Sequence, residues 1–180
     1  MNSEIHILNG SALRDRDLQS VARTTGEIFG VPVQVLRADL DLQQAYDPSR
    51  HQTNSTALLV QVLGAVADSP TKRIAVVDVD LFIPVLTFVF GEAQLAGTAA
   101  IVSTHRLDNR FYGLPYDATL MLRRLEKEIV HEMGHNFGLY HCRQFECVMR
   151  SSTYVEEIDM KRVLPCPNCA ASITIHLQQA

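Results

Sequence analysis

Residues 5–36 read IHILNGSALRDRDLQSVARTTGEIFGVPVQVL, and the order of patterns in them decides the class of fold. Ile5 to Leu8 is a short apolar run suited to a strand. Ser11 stands as the N-cap of a helix whose apolar side runs through Leu13, Leu18, Val21, Ala22 and Ile28 and which stops at Gly30. Val33 to Leu36 supplies a second strand. Strand, helix and strand in that order form a βαβ unit, which implies a parallel pair joined by a right-handed crossover.

The alternation continues downstream. Tyr46 to Asn54 is polar and carries the turn signal Asp47-Pro48. Thr56 to Ala67 reads as a helix with Leu59, Val62, Leu63 and Val66 on one side, ended by Ser69-Pro70. Ile74 to Val79 is a β-branched run suited to a strand buried on both faces. Leu86 to Phe90, ending in Gly91, and Thr98 to Ser103 supply further strands, and Gly91 and Gly97 mark a reversal between them that leaves an edge strand exposed. Asp117 then N-caps a long helix with Leu122, Leu125, Ile129 and Val130 as core contacts. The expectation is an α/β (α+β) fold. No repeat or linker divides the chain, so residues 1–180 are expected to form one domain, 1–137 holding the sheet and helices and 138–180 a C-terminal segment.

Composition narrows the function classes. The chain has 180 residues, 47% of them hydrophobic and 20% charged, with a formal net charge of −4. A chain of this length buries about 70% of its unfolded surface, so a metal or disulfide needs a reason other than folding alone. The mild negative balance argues against a nucleic-acid or anionic-membrane partner. Ile74 to Phe90 is the most apolar stretch, but Asp78, Asp80 and Pro84 interrupt it, short of the ~20 apolar residues of a spanning helix. The first residues show no export-signal pattern, so a cytoplasmic protein, expected to be a monomer, is the reading.

The chemistry lies in residues 131–141, HEMGHNFGLYH. His131 and His135 are four apart, so on a helix they differ by about 40° in azimuth and one turn in height, and both imidazoles can reach one ion. Glu132 lies about 100° from His131, where a carboxylate flanks the metal and can take a proton from water there. On a continued helix His141 would sit ~9 Å further along, too far to share the ion. The chain must therefore turn, and Gly138 reaches the left-handed conformation that ends a helix. Three neutral imidazoles leave a fourth tetrahedral position open for water, the mark of a catalytic zinc. Alone, HExxH occurs by chance in many helices, but the five fixed positions of HExxHxxGxxH would arise in roughly 2 to 3 of 100,000 shuffled chains of this composition.

All four cysteines fall in the last 39 residues. Cys142 and Cys147 form CxxxxC, Cys166 and Cys169 form CxxC, and the spacing suits a closed four-thiolate zinc site better than disulfides in a reducing compartment. A free redox dithiol is the competing reading, although a lone CxxC normally opens a helix in a thioredoxin-like unit. His141 and Cys142 are adjacent, so the two metal sites would share a joint. Met149 follows Cys147 by two residues and would by itself be core packing.

HEMGHNFGLYHCRQFECVM together with CPNC resembles the archaemetzincin family of metzincin zinc metallopeptidases. The resemblance implies a catalytic zinc on His131, His135 and His141, Glu132 as general base, and Met149 in a turn beneath the site. It further implies a structural zinc on Cys142, Cys147, Cys166 and Cys169, hence two zinc ions per chain. It also implies a twisted mixed sheet whose one antiparallel edge strand lies over the cleft, within Leu86 to Leu95. Some metzincins carry a tyrosine two residues after the turn methionine; here Ser151 holds that position, with Tyr154 close by. The expected activity is hydrolysis of peptide bonds, with a peptide or protein as substrate. The alternative is a peptide- or protein-binding module that keeps zinc as architecture, for which Glu132 would be unnecessary.

Overall fold

The computed structural model describes residues 4–64 and 71–179, with side chains described as far as Ile173. Strand β1 (Ile5–Asn9), helix α1 (Asp15–Phe29) and strand β2 (Val33–Arg37) form the expected unit, β1 and β2 running parallel from the pair Ile5/Val33 to Asn9/Arg37. The helix begins later than Ser11. The Ser11 hydroxyl instead donates to Asn9 Oδ1 (2.8 Å), and Arg14 occupies the cap without a side-chain cap bond. Asp15 and Asp17 place negative charge in the first turn, where the helix dipole favours it. At the other end Gly30 takes φ 65°, which closes the helix in the left-handed conformation.

Strands β5 (Lys72–Val77), β7 (Gly91–Ala93) and β8 (Ala99–Ser103) complete a five-stranded sheet in the order β2-β1-β5-β8-β7. The first four strands are parallel and β7 is antiparallel to β8, so the sheet is mixed, with its antiparallel strand at one edge. Helix α1 and the long helix α4 (Ala118–Asn136) cover one face, packing Leu18, Val21, Phe29, Leu125, Ile129 and Met133 on Ile7, Ile74, Val76 and Val102. Helix α3 (Ser55–Gly64) covers the other through Leu58, Leu59 and Val62, against Ala75, Val77 and Ile101. Covered on both sides, β5 from Ile74 to Val77 and β8 from Ala99 to Val102 read as unbroken apolar runs and not as alternation. Residues 65–67 and 69–70, expected to continue and end α3, lie outside the described residues.

Two segments depart from the sequence reading. The polar stretch from Tyr46 holds short helix α2 (Leu42–Ala45) just before it, then a hairpin of β3 (Tyr46–Asp47) and β4 (Gln52–Asn54), which pairs with β6 (Leu81–Phe82) in a small second sheet. Asp47 Oδ1 accepts from the Ser49 N–H (2.8 Å) and hydroxyl (2.6 Å), closing the turn. Leu86 to Phe90 does not form a strand. It makes one bridge, Val89 to Leu81, because its carbonyls are taken from the side: Arg50 Nη2 donates to Leu86 O (2.9 Å) and Thr87 O (3.1 Å), and Gln52 Nε2 to Thr87 O (3.0 Å). The ladder starts only at Gly91.

After β8 two short 3-10 turns lead to α4, whose N-cap Asp117 accepts from Leu120 N–H (2.9 Å). The far end of α4 is fastened to the β7–β8 turn: Asn136 Nδ2 donates to Gln94 O (2.8 Å) and Ala99 O (2.9 Å), and Lys72 Nζ to Asn136 O (2.8 Å). Helices α5 (Val155–Met160) and α6 (Pro167–Gln179) complete the chain. Among the described residues no helix is long and apolar enough to cross a membrane.

Candidate metal centre

The last two turns of α4 present His131, Glu132 and His135, all facing the edge strand β7. The helix ends as the glycine predicts. Gly138 sits at φ 82°, its N–H donating to His135 O (2.9 Å) while Leu139 N–H donates to Gly134 O (2.9 Å). The chain then folds back, Cys142 N–H meets Met149 O (2.9 Å), and the His141 ring comes to rest 5.3 Å from that of His131 and 4.9 Å from that of His135.

The three imidazoles offer nitrogen atoms that all lie within 4.8 Å of one another, and Nε2 of His131 and Nε2 of His135 are 3.2 Å apart. Two ligands about 2.0–2.1 Å from a tetrahedral zinc would be about 3.3 Å apart, so the donors fit that ion. The opposite nitrogens are spoken for. His131 Nδ1 donates to Val148 O (2.8 Å) and His135 Nδ1 to Leu139 O (2.7 Å), and since a carbonyl only accepts, the lone pair of each ring is left on Nε2. Burial lowers the pKa of all three histidines, His131 most, with the Lys161 charge acting in the same direction. They are therefore neutral, the state that a metal requires.

Glu132 is 5% exposed, and burial, reinforced by the Glu128 charge, pushes its carboxyl well above the ordinary range. It lies in a cleft of about 440 Å³ whose upper wall is the segment from Ile83 to Ala93 and whose lower wall includes Ser151, Ser152 and Thr153. Ser103 N–H donates to Phe90 O and Gln94 N–H to Ala99 O, so alternation turns the main-chain groups of Gly91 and Ala93 away from β8. An unpaired edge therefore faces the cleft.

Further along, Sγ of the four cysteines cluster within 4.8 Å, with Cys142 and Cys166 3.8 Å apart. Disulfide sulfurs would be about 2.05 Å apart. Four sulfurs at about 2.3 Å from a tetrahedral zinc are separated by about 3.8 Å, so this set fits the ion as well. The Cys169 N–H, helped by the neighbouring thiols, brings Cys166 down to about 7, whereas burial raises Cys147 and Cys169.

The family model for peptidase family M54 matches residues 27–175. Archaemetzincin of Methanocaldococcus jannaschii is 38% identical over 157 residues, covering 87% of this chain and 85% of that protein, and that of Archaeoglobus fulgidus is 36% identical over 163 residues, 90% and 94%. The chain belongs to the archaemetzincin family. Among solved structures, archaemetzincin from Methanopyrus kandleri superposes with a TM-score of 0.86 at 29% identity, covering 98% of this chain and 96% of that one. The zinc-dependent peptidase from Methanocorpusculum labreanum gives the same score and identity, with coverages of 94% and 99%. The family is one of metzincin-type zinc metallopeptidases.

In this chain two glycines do work that the sequence reading missed. A Cβ added to Gly91 would lie 2.7 Å from both Glu132 Oε1 and Ile101 O, so only glycine lets the edge strand approach the carboxylate this closely. A Cβ on Gly134 would fall on Met149 Sδ and 2.8 Å from its Cε, so the methionine turn fits under α4 only because that side chain is absent. The available signal was weak: a mid-helix glycine costs about 1 kcal/mol and so calls for a packing reason. Met149 itself is fully buried. Ser151 lines the cleft, whereas Tyr154 is 66% exposed and is not among the residues that line it.

Proposed function

We propose that this chain hydrolyses peptide bonds at the cleft between α4 and β7, with His131, His135 and His141 as the ligands of a catalytic zinc and Glu132 as general base. The single observation that carries the reading is the convergence of three imidazoles beside a buried carboxylate at an open strand edge. When bound, zinc supplies the Lewis acidity that polarises a carbonyl and acidifies water. The remaining work falls to the chain. The outward main-chain groups of Gly91 and Ala93 bind an extended peptide by strand addition. Glu132 takes a proton from the attacking water and passes it to the leaving nitrogen, a role that suits a carboxyl whose pKa burial has raised. Cys142, Cys147, Cys166 and Cys169 hold a second, structural zinc, and Met149 fixes the turn under the histidines. The activity is assigned to one domain spanning residues 1–180, and a peptide or protein is its substrate.

Glu132→Ala tests the assignment. Its hydrolysis of a diverse peptide mixture, followed by mass spectrometry, should fall by about 10²- to 10⁴-fold with both zinc ions retained. Equal turnover by the purified wild type and variant would overturn it.

A further inference from the structure

Beneath the histidines lies a buried ion pair that the proposed chemistry does not use. The Lys161 side chain is 1% exposed and the Glu128 side chain 4%, with Nζ 3.4 Å from Glu128 Oε1. Burying such a pair costs several kcal/mol per ion before the charges compensate each other, so apolar side chains would serve packing at least as well. The other partners of the ammonium indicate what else it does. Lys161 Nζ donates to Arg150 O (2.8 Å) and to Val148 O (3.4 Å), which with Glu128 account for its three protons. Those two carbonyls flank Met149. Val148 O is also the acceptor of the His131 Nδ1–H.

The contacts close a loop. From Glu128 on α4 it passes through Lys161 to the backbone of the methionine turn, and from Val148 O through His131 it returns to α4 three residues further along. Docking of α5 on α4 does not depend on it: Arg124 forms two hydrogen bonds to Asp159 (2.8 and 2.7 Å), and Lys127 Nζ donates to Ile158 O and Asp159 O.

We propose that Lys161 is a positioning residue for the histidine site: its ammonium fixes the Val148 and Arg150 carbonyls, so that Val148 O holds the His131 ring with Nε2 aimed at the metal, and Glu128 is the counter-ion that keeps this ammonium in the interior. A group bonded directly to a metal ligand, as Val148 O is to His131, typically governs 10- to 100-fold of metal affinity, and freeing that carbonyl from Lys161, one hydrogen bond further out, is expected to reach that range. The inference rests on the reading that the three histidines hold zinc.

The test compares Lys161→Met, the double variant Glu128→Leu/Lys161→Met and the control Lys127→Met, which removes contacts between α4 and α5 that do not reach the methionine turn. Zinc affinity of the histidine site is read by competition with a chelator of known affinity, with the thiolate zinc counted separately. The absorption bands of the cobalt(II) form report ligand geometry at the same site. The double variant removes both charges together, so it should fold and keep its thiolate zinc. It should nevertheless bind zinc at the histidines about 10- to 100-fold more weakly and show shifted cobalt bands, whereas Lys127→Met should match wild type. Wild-type affinity and spectrum in the double variant would overturn the proposal. So would a double variant that no longer folds, or an equal loss in Lys127→Met, because the pair would then serve general packing. A wild type with no metal at the histidines would instead refute the underlying zinc reading.

Discussion

Gly91→Ala is the most direct perturbation of the contact between edge strand and carboxylate. The new methyl would lie 2.7 Å from Ile101 O and from Glu132 Oε1 and 2.8 Å from Glu132 Cγ, about 0.7 Å inside ordinary contact near 3.4 Å. Ile101 belongs to a fully buried strand of the sheet and cannot retreat, so the edge strand must shift at residue 91 and the Glu132 side chain must swing aside. Overpacking of this kind costs about 1–3 kcal/mol. At about 2–4 °C per kcal/mol for a chain of 150–250 residues, Tm should fall by about 2–12 °C. Misplacing a catalytic group by 1 Å can cost about 10²-fold, so kcat/KM should drop by about 10- to 100-fold while the zinc content stays at its wild-type value. Thermal melting, metal analysis and peptide turnover on one preparation give all three quantities. An alanine variant with wild-type Tm and wild-type turnover would show that the strand does not press on Glu132 as the geometry requires.

Graded chelation should remove the histidine zinc first, through the open cleft, and leave a one-zinc species that keeps its circular dichroism; simultaneous loss of both ions would refute the distinction between an open and a closed site. Asp80→Asn should destabilise the fold at pH 7 but not in acid. Burial would raise the Asp80 carboxyl, but hydrogen bonds from Arg106 and Gln52 outweigh it and hold the pKa below its ordinary value. Its contribution is therefore complete above about pH 4 and is lost as the pH falls through the folded-state value, so urea titrations of the two proteins should differ at pH 7 and converge below pH 4. A gap that persists undiminished in acid would exclude this origin.

Local pattern carried much of the structure because the relevant periods are local. The βαβ opening needed only the spacing of Leu18, Val21 and Ala22 between two apolar runs, and the central buried strand announced itself as the β-branched run beginning at Ile74. The histidine triad was legible because helical geometry alone brings His131 beside His135 and because Gly138 must reverse the chain before His141. The misread strand is decided at a distance, whereas the misread cap has a local cause. Ser11 looks like a cap but finds Asn9 as a nearer partner. Leu86 to Phe90 has the composition of a strand, yet Arg50 and Gln52 from a remote hairpin take its carbonyls. Gly91 and Gly134 were opaque for a related reason: what each makes room for, Glu132 in one case and Met149 in the other, comes from another element, and no window of sequence around the glycine shows it.

The upper rim of the cleft is tied down along its length. Arg50 grips the carbonyls at 86 and 87, Ser55 and Thr56 donate to the Glu92 carboxylate, and Asn136 secures Gln94. A rim held in this way has little conformational freedom left to lose when a peptide docks, so the entropy of ordering is borne by the peptide, at about 1–2 kcal/mol for each backbone unit that must straighten. A stretch of chain that is already extended and unpaired, such as a frayed terminus or an unfolded loop, forfeits far less than a helix that must first melt. On the proposed mode of binding, the cleft discriminates by the substrate's shape before any of its side chains is read.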